Sequence, residues 1–254
     1  MTPVSARTLS RRSLERELSA LANLDRAKHS ITFFKTGQGQ YGEGDRFLGI
    51  AVPSLRRTAL RYKHLSLDDL ARLLASPIHE HRAASLEILV AQYERASPAE
   101  RELIVDFYLQ HATRANNWDL VDASAPYILG HSLLEKTSRS ILDRLAGSAN
   151  VWERRIAIVS TLMLLKHRET ADTFRIAEKL LADKQDLIHK AVGWALREAG
   201  RISRPDLLEF LCKHYSRLPR TTLRYAIEHF PAEQRKKILN CEFAAGKPLR
   251  KTQA

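Results

Sequence analysis

The chain has 254 residues, of which 44% are hydrophobic and 28% are charged. This balance is typical of a globular protein with a sizeable core, and it excludes a wholly disordered chain. Only ten glycines and nine prolines are present, which argues against an all-β fold with many turns. Lysine and arginine outnumber the acidic residues by 41 to 29, and the net charge of +12 favours nucleic acid or another anionic surface as the partner. The alternative is a basic cytosolic protein without such a partner.

Signals for export, membrane insertion and metal binding are missing from the sequence. The first twenty residues contain four arginines but no apolar segment, so we expect no secretory signal and a cytoplasmic protein without a membrane span. Cys212 and Cys241 form no Cys-x-x-Cys pair, so neither a disulfide framework nor a thiolate zinc site is expected. We interpret His79-Glu80-His81 as a solvated helix start, because its two histidines are too close in sequence to share one helix face. No metal and no other cofactor is predicted.

Helix-start signals recur along the chain from residue 65 onward, and no convincing alternating strand is found. Each signal combines a serine cap or a proline with an acidic residue in the first turn. The sequence predicts helices that start at Ser66, Ser97, Ser203 and Pro231 and helices that end at Gly130, Gly147 and Gly200. The predicted fold class is therefore all-α.

A basic residue recurs near the start of alternate predicted helices, at Arg82, Arg155, Lys190 and Arg224. The last three are separated by 35 and 34 residues, and the first gap of 73 residues spans about two periods with its midpoint at Trp118. Paired helices with a period in the mid-thirties predict an α-solenoid. Equivalent positions in successive repeats line one face, so these residues predict a concave basic groove that binds DNA. The alternative is that each basic residue is a solvated helix end.

A glycine-rich segment at about residues 36–46 contains the pattern G-x-G-x-x-G. A dinucleotide-binding site would need a preceding strand and a parallel sheet, and a kinase glycine loop would need its lysine and catalytic-loop signatures. The sequence meets neither requirement. We predict a flexible loop in which Lys35 and Arg46 are candidate phosphate contacts.

Two pairs of residues with helical spacing are candidates for chemistry. Trp118 and Asp122 are four residues apart and share a helix face, whereas Asp119 points elsewhere and is placed to cap backbone N–H groups. A carboxylate repels DNA phosphates, so Asp122 needs a positive partner in the protein or in the substrate. Trp194 follows Lys190 by four residues and faces the same way.

Each of these residues also has an alternative interpretation in which its role is purely structural. A tryptophan on a helix is more often a core residue than a ligand contact, so the alternative for Trp118 and Trp194 is burial in the core. Asp122 has the alternative of an intramolecular ion pair with Arg155. Spacing alone leaves these alternatives open.

The segments NNWDLVDASAPYILG and KAVGWALREAG, with the doublet Arg154-Arg155, resemble the bacterial DNA alkylation repair glycosylases built from HEAT-like repeats, the AlkD family. The resemblance spans about residues 26–230. We therefore predict a single HEAT-like-repeat domain over residues 1–241 and a flexible basic tail at 242–254.

The resemblance also implies a site. In that family a tryptophan and an aspartate one turn apart, an arginine and a second tryptophan face the DNA, and these fall on Trp118, Asp122, Arg155 and Trp194. Arg155 is preferred to Arg154 because it keeps the helical phase of the other repeat positions.

The implied reaction is hydrolysis of the N-glycosidic bond of N3-alkyladenine and N7-alkylguanine in duplex DNA, with the lesion still stacked. Asp122 would stabilise the cationic sugar electrostatically, and Arg155 would hold a flanking phosphate. We expect a monomer associated with the nucleoid. The competing hypothesis is a non-catalytic HEAT-like module that binds DNA or a protein.

Overall fold

The computed structural model describes residues 9–242. Fourteen α-helices and no β-strand occur within this range, so the predicted all-α class is confirmed. The helices are α1 (Arg11–Ala20), α2 (Leu24–Phe33), α3 (Val52–Ala59), α4 (Leu67–Leu74), α5 (His79–Arg95), α6 (Pro98–Gln110), α7 (Trp118–Ser124), α8 (Ser140–Ala146), α9 (Val151–Lys166), α10 (Ala171–Leu180), α11 (Asp186–Ile202), α12 (Arg204–His214), α13 (Arg220–Ala226) and α14 (Ala232–Leu239).

The predicted helix starts are confirmed. Ser66, Ser97 and Ser203 precede α4, α6 and α12, and each side chain accepts a hydrogen bond from a backbone N–H in the first turn. Pro231 directly precedes α14. These caps satisfy N–H groups that would otherwise have no partner at the helix start, which explains why such local signals can be recognised in sequence.

One of the three predicted helix ends is wrong. Gly147 directly follows α8, and Gly130 ends a short π-helix that continues from α7. Gly200, however, lies inside α11. A Cβ atom at this position would be 2.3 Å from the Cδ2 atom of Leu207 in α12. The glycine therefore lies at a close contact between α11 and α12 and not at the end of a helix.

The described residues divide after Ser132 into two compact units. In the first unit α5 is central and packs against α3, α4 and α7, while α1 packs against α3, α4 and α5. In the second unit α9, α11 and α13 pack side by side, with α8 and α10 against α9 and with α10 and α12 against α11. Alternate helices thus form one row, as expected of helical repeats.

The basic residues that the sequence predicts at equivalent repeat positions occupy nearly the same position in their helices. Arg155, Lys190 and Arg224 are each the fifth residue of their helix, in α9, α11 and α13. Arg82 is the fourth residue of α5. Asp122 is the fifth residue of α7, so it occupies the helix position that is basic in α9, α11 and α13.

None of the helices between residues 9 and 242 is both long enough and apolar enough to cross a membrane. Of the predicted basic tail, only Glu242 belongs to the described residues; 243–254 lie outside them.

Candidate functional site

Helix α7 presents the tryptophan and the aspartate that the sequence singles out. Asn117 caps this helix, because its buried side chain accepts a hydrogen bond from the Trp118 backbone N–H at 2.8 Å. Trp118 opens the helix and Asp122 follows one turn later, so the two share a face. Both residues are half-buried. Asp122 is therefore accessible in part, unlike the side chain of Asp45 described below, which is 4% exposed.

An aromatic cluster, made of Phe33, Phe34, Phe47, His79 and Trp118, lies behind this face. The Trp118 ring centroid is 5.8 Å from that of Phe33 and 5.5 Å from that of Phe34. Phe34 stacks on Phe47 at 5.2 Å, and both rings stack on His79 at 5.1 and 4.9 Å. These separations are those of favourable aromatic contacts. The cluster therefore fixes the place of Trp118 through α2 and the loop before α3.

His79 joins the aromatic cluster to two carboxylates. Its Nε2 atom lies 2.8 Å from Asp119 Oδ2, and its Nδ1 atom lies 3.5 Å from Asp45 Oδ2. Burial lowers the pKa of His79, but the hydrogen bonds to Asp119 and Asp45 outweigh burial and raise this pKa to about 9. At neutral pH His79 is therefore an imidazolium, and it ties α5 to α7 and to the glycine-rich segment.

Arg82 completes a buried charge cluster with Asp45 and His79, and Asp119, which is 29% exposed, borders this cluster through its hydrogen bond to His79. Its Nη2 atom lies 2.7 Å from Asp45 Oδ1, and its Nη1 atom donates to the Ser76 carbonyl oxygen at 2.9 Å. Burial lowers the pKa of Arg82, although Asp45 opposes this effect. Only 1% of Arg82 is exposed, so almost none of the side chain is accessible to a phosphate. This placement favours a structural role for Arg82 over the predicted contact with DNA.

The interpretation of His79-Glu80-His81 as a solvated helix start is wrong. The three residues do open α5, but all of them are buried. The Glu80 carboxylate accepts hydrogen bonds from the backbone N–H of Gly49, at 2.7 Å, and from those of its two neighbours. His81 Nδ1 lies 3.0 Å from the Ser76 hydroxyl. The partners of Glu80 come from a loop 30–32 residues away, which the local sequence does not reveal.

The glycine-rich segment is anchored at its C-terminal end. The backbone of Arg46 bonds to Pro77 and His79 with N···O distances of 3.0 and 2.8 Å. Just beyond it, Gly49 has a φ of +75°, and a Cβ atom there would be 2.2 Å from the Asn23 carbonyl oxygen. The Lys35 and Arg46 side chains are exposed, so both are accessible to an anionic ligand.

A pocket of about 360 Å3 lies within the first unit, bounded by α2, α3, α5 and α7. Its walls are mainly apolar and include four rings of the aromatic cluster, those of Phe33, Phe34, Phe47 and His79. Asp119 lines it beside its partner His79. No sequence motif predicts this pocket. The adjacent Phe33 and Phe34 at the end of α2 are the only hint of it in the local sequence, because two neighbouring aromatic rings can contribute to one apolar wall.

The second unit holds the other predicted site residues. Arg155 is 5% exposed, and its Nη1 atom donates to the Leu187 carbonyl oxygen at 2.7 Å. The adjacent Arg154 pairs with Asp183 at 2.5 Å. Both arginines of the doublet are thus engaged within the unit.

Lys190, Trp194 and Arg224 are more accessible. Lys190 forms an ion pair with Asp186 at 2.8 Å, but 42% of its side chain is exposed. Trp194 is half-buried one turn further along α11, and Arg224 is exposed on α13. The structure therefore groups Trp118, Asp122 and Arg82 in the first unit and the remaining predicted residues in the second.

Comparisons with known proteins agree with this architecture. The family model for the DNA alkylation repair enzyme matches residues 14–230. A solved structure of a predicted DNA alkylation repair enzyme from Enterococcus faecalis is 18% identical in sequence, with a TM-score of 0.63 over 83% of this chain and 97% of that one. At this identity the structural match supports the fold alone. No functionally curated protein has significant sequence similarity to the chain.

Proposed function

Because the chain belongs to the DNA alkylation repair enzyme family, we propose that it is a monofunctional glycosylase for cationic alkylated purines in duplex DNA. It hydrolyses the N-glycosidic bond of N3-alkyladenine and N7-alkylguanine and leaves an abasic site. The proposal assigns catalysis to Asp122 and requires no cofactor. The protein acts as a monomer in the cytoplasm, on the DNA of the nucleoid.

The observation that carries this proposal is the position of Asp122. The fifth residue of α9, α11 and α13 is basic, whereas in α7 it is this half-buried aspartate, one turn from Trp118. A protein that only binds phosphates gains nothing from a carboxylate at such a position. A carboxylate is useful where positive charge develops on the substrate.

The chemistry of the substrate supplies that positive charge. Alkylation makes the purine a cation and hence a good leaving group, which takes the C1′–N bonding electrons and departs neutral. The sugar becomes oxocarbenium-like, and water adds to C1′ and loses a proton. Asp122 stabilises the cationic sugar and orients the water, as a carboxylate does in glycoside hydrolysis. The Trp118 ring adds a cation–π contact worth about 0.5–2 kcal/mol.

DNA contacts are assigned to the basic repeat positions of the second unit. Arg224 and Lys190 are accessible enough to meet phosphates, and Trp194 offers a second aromatic face. Arg155 is only 5% exposed and donates to the Leu187 carbonyl oxygen, so its assignment to a flanking phosphate rests on the family resemblance and not on accessibility. Arg82 is left out of this set because it is buried in its ion pair with Asp45.

The direct test is to incubate the protein with methylated duplex DNA and to quantify free 7-methylguanine and 3-methyladenine. Unmethylated duplex of the same sequence is the control. A glycosylase releases both bases and leaves alkali-labile abasic sites. Tight binding to the methylated duplex with no release would instead identify the non-catalytic HEAT-like module.

A further inference from the structure

We propose that the C-terminal part of the glycine-rich segment, residues 42–46, is a positioning element for the α7 site. It holds the backbone at Phe34, and the Phe34 ring holds the ring of Trp118 in the orientation that excision requires. The link to excision rests on the proposed function, whereas the positioning of the Trp118 ring rests on contacts within the first unit alone. Phe34 and Gly42 act through Trp118, so both are positioning residues.

The Phe34 ring contacts all four other members of the aromatic cluster. Its centroid lies 5.5 Å from that of Trp118, with 34° between the ring planes, and 5.0 Å from that of Phe33. It also stacks on Phe47 at 5.2 Å and on His79 at 5.1 Å. Aromatic pairs are favourable only in certain relative orientations. A shift of Phe34 therefore changes the orientation that Trp118 adopts.

The end of α2 determines where the Phe34 ring lies. Phe34 directly follows this helix, and its N–H donates to the Ser30 carbonyl oxygen at 2.8 Å. The next residue, Lys35, has a φ of +50°, the left-handed conformation with which many helices end. The glycine-rich segment then folds back on this helix end.

Gly42 packs directly on the backbone of Phe34. It is buried, and its N–H donates to the Lys35 carbonyl oxygen at 3.1 Å. A Cβ atom at position 42 would overlap the Phe34 carbonyl oxygen, so the backbones approach this closely only because residue 42 has no side chain. This contact explains the last glycine of the G-x-G-x-x-G pattern.

Asp45 connects the same part of the segment to α5. Its N–H donates to the Gly42 carbonyl oxygen at 3.1 Å. Its carboxylate pairs with Arg82 at 2.7 Å and lies 3.5 Å from His79 Nδ1. Residues 42–46 thus link the buried charge cluster to the backbone at Phe34, and through its ring to Trp118.

A supported tryptophan matters because the sugar of the substrate is cationic only while its bond to the base breaks. The face of Trp118 has to be in place before that moment, since reorientation of the ring would add to the activation barrier. A displacement of about 1 Å can slow a reaction about 10²-fold. The glycine-rich segment therefore serves excision and not the binding of a nucleotide.

The test compares two glycine substitutions in the full-length protein. Gly42→Ala forces a methyl group against the Phe34 backbone and should slow single-turnover release of 7-methylguanine at least about tenfold. Gly37→Ala meets only the flexible Gln40 side chain and should excise like the wild type. Neither glycine has a positive φ, so alanine suits both backbone conformations. Affinity for duplex DNA should match the wild type in both variants.

A second pair of variants tests the ring itself, in case Gly42→Ala does not fold. Phe34→Leu removes the ring and should slow release about tenfold, the size of a strong ring–ring contact, whereas Phe34→Tyr keeps the ring and should restore the rate. Phe174→Leu is the control, because Phe174 is also half-buried and packs on Phe210 at 5.4 Å in the second unit. Melting temperature shows whether each variant is folded.

A spectroscopic measurement separates positioning from a general loss of structure. The three tryptophans give three indole N–H signals in a ¹H–¹⁵N spectrum, and Trp118→Phe identifies that of Trp118. Gly42→Ala and Phe34→Leu should shift the Trp118 signal, because the neighbouring rings that set its local field have moved or gone. Gly37→Ala and Phe174→Leu should leave this signal in place.

Three results would overturn the proposal. They are an unchanged Trp118 signal in both Gly42→Ala and Phe34→Leu, a shifted signal with excision at the wild-type rate, and a joint loss of DNA affinity and melting temperature. A wild-type protein that releases no base would remove the proposed function alone, and the Trp118 signal would still decide whether the segment positions the ring.

Discussion

A buried charge cluster in the first unit and an exposed ion-pair network in the second unit use charged residues in different ways. In the first unit, Asp45, His79 and Arg82 form ion pairs whose side chains are all at most 6% exposed. In the second unit, Arg175 and Lys179 of α10 pair with Asp143 of α8, and these side chains are 31–49% exposed.

This difference indicates which charges the site depends on. A buried ion pair contributes little net stability when complete, but removal of one partner leaves an uncompensated charge in a poorly solvated place. An exposed pair is screened by water, so its loss costs little. The buried charge cluster of the first unit also holds α7 and the glycine-rich segment against α5. Its members are therefore positioning residues for the α7 site, whereas the exposed pairs of α8 and α10 are replaceable.

The largest expected effect comes from breaking the buried charge cluster. Arg82→Met should lower the free energy of unfolding by about 3–5 kcal/mol, because Asp45 loses its closest cation. The matched change in the second unit, Arg175→Met, should cost less than about 1 kcal/mol. Urea denaturation followed by circular dichroism measures both. Should Arg82→Met keep its stability and lose DNA affinity instead, Arg82 would be the DNA contact that the sequence predicts.

The next effect concerns catalysis. Asp122→Asn keeps the size of the side chain and removes its charge, so single-turnover release of 7-methylguanine should slow by about 10²–10³-fold, the scale of one lost electrostatic contact in a transition state. Affinity for duplex DNA should hold or rise, because a charge that repels phosphates is gone. A structural aspartate would instead lose stability and binding together. Excision at the wild-type rate would remove the catalytic assignment.

Some features of the fold and of the candidate site could be predicted from the sequence, and others could not. Helix starts such as Ser66 and Ser97 were predictable, because a cap and the N–H groups that it satisfies lie within four residues. The shared helix position of Arg155, Lys190 and Arg224 was also predictable, because the same position is basic in each of these repeats.

The buried charge cluster was not predictable in this way. The partners of His79 and Arg82 are 34 and 37 residues away at Asp45, and Asp119 is 40 residues away from His79. Only the tertiary packing of α5 on α7 and on the loop reveals that these polar residues are internal. Gly200 was misjudged for the same reason, because the atoms that exclude a side chain there belong to α12.

A pH experiment tests whether His79 is part of the buried charge cluster as a cation. Its pKa is about 9 in the folded protein and 6.5 without that environment, so folding favours the protonated form. The contribution of His79 protonation to the free energy of unfolding is fully present below pH 6.5 and is lost as the pH rises through 9. At about 1.4 kcal/mol per pKa unit, this contribution amounts to about 3 kcal/mol at most. His79→Asn should lack this pH dependence. Equal loss of unfolding free energy in the two proteins over that range would show that His79 is neutral.

The smallest expected effect concerns the exposed basic residues of the second unit. Each phosphate that a protein neutralises releases counterions, so the logarithm of the affinity for duplex DNA falls by about 0.9 per logarithmic unit of salt for each contact. Arg224→Gln should reduce this slope by about one contact, and the double change with Lys190→Gln by about two. Arg175→Gln is the control, because Arg175 is an exposed arginine already paired with Asp143 and Asp172 on α8 and α10. Its slope should match the wild type. An equal reduction of the slope by Arg224→Gln and Arg175→Gln, which each remove one charge, would mean that DNA responds to the overall charge of +12 and not to a row of basic positions on α11 and α13.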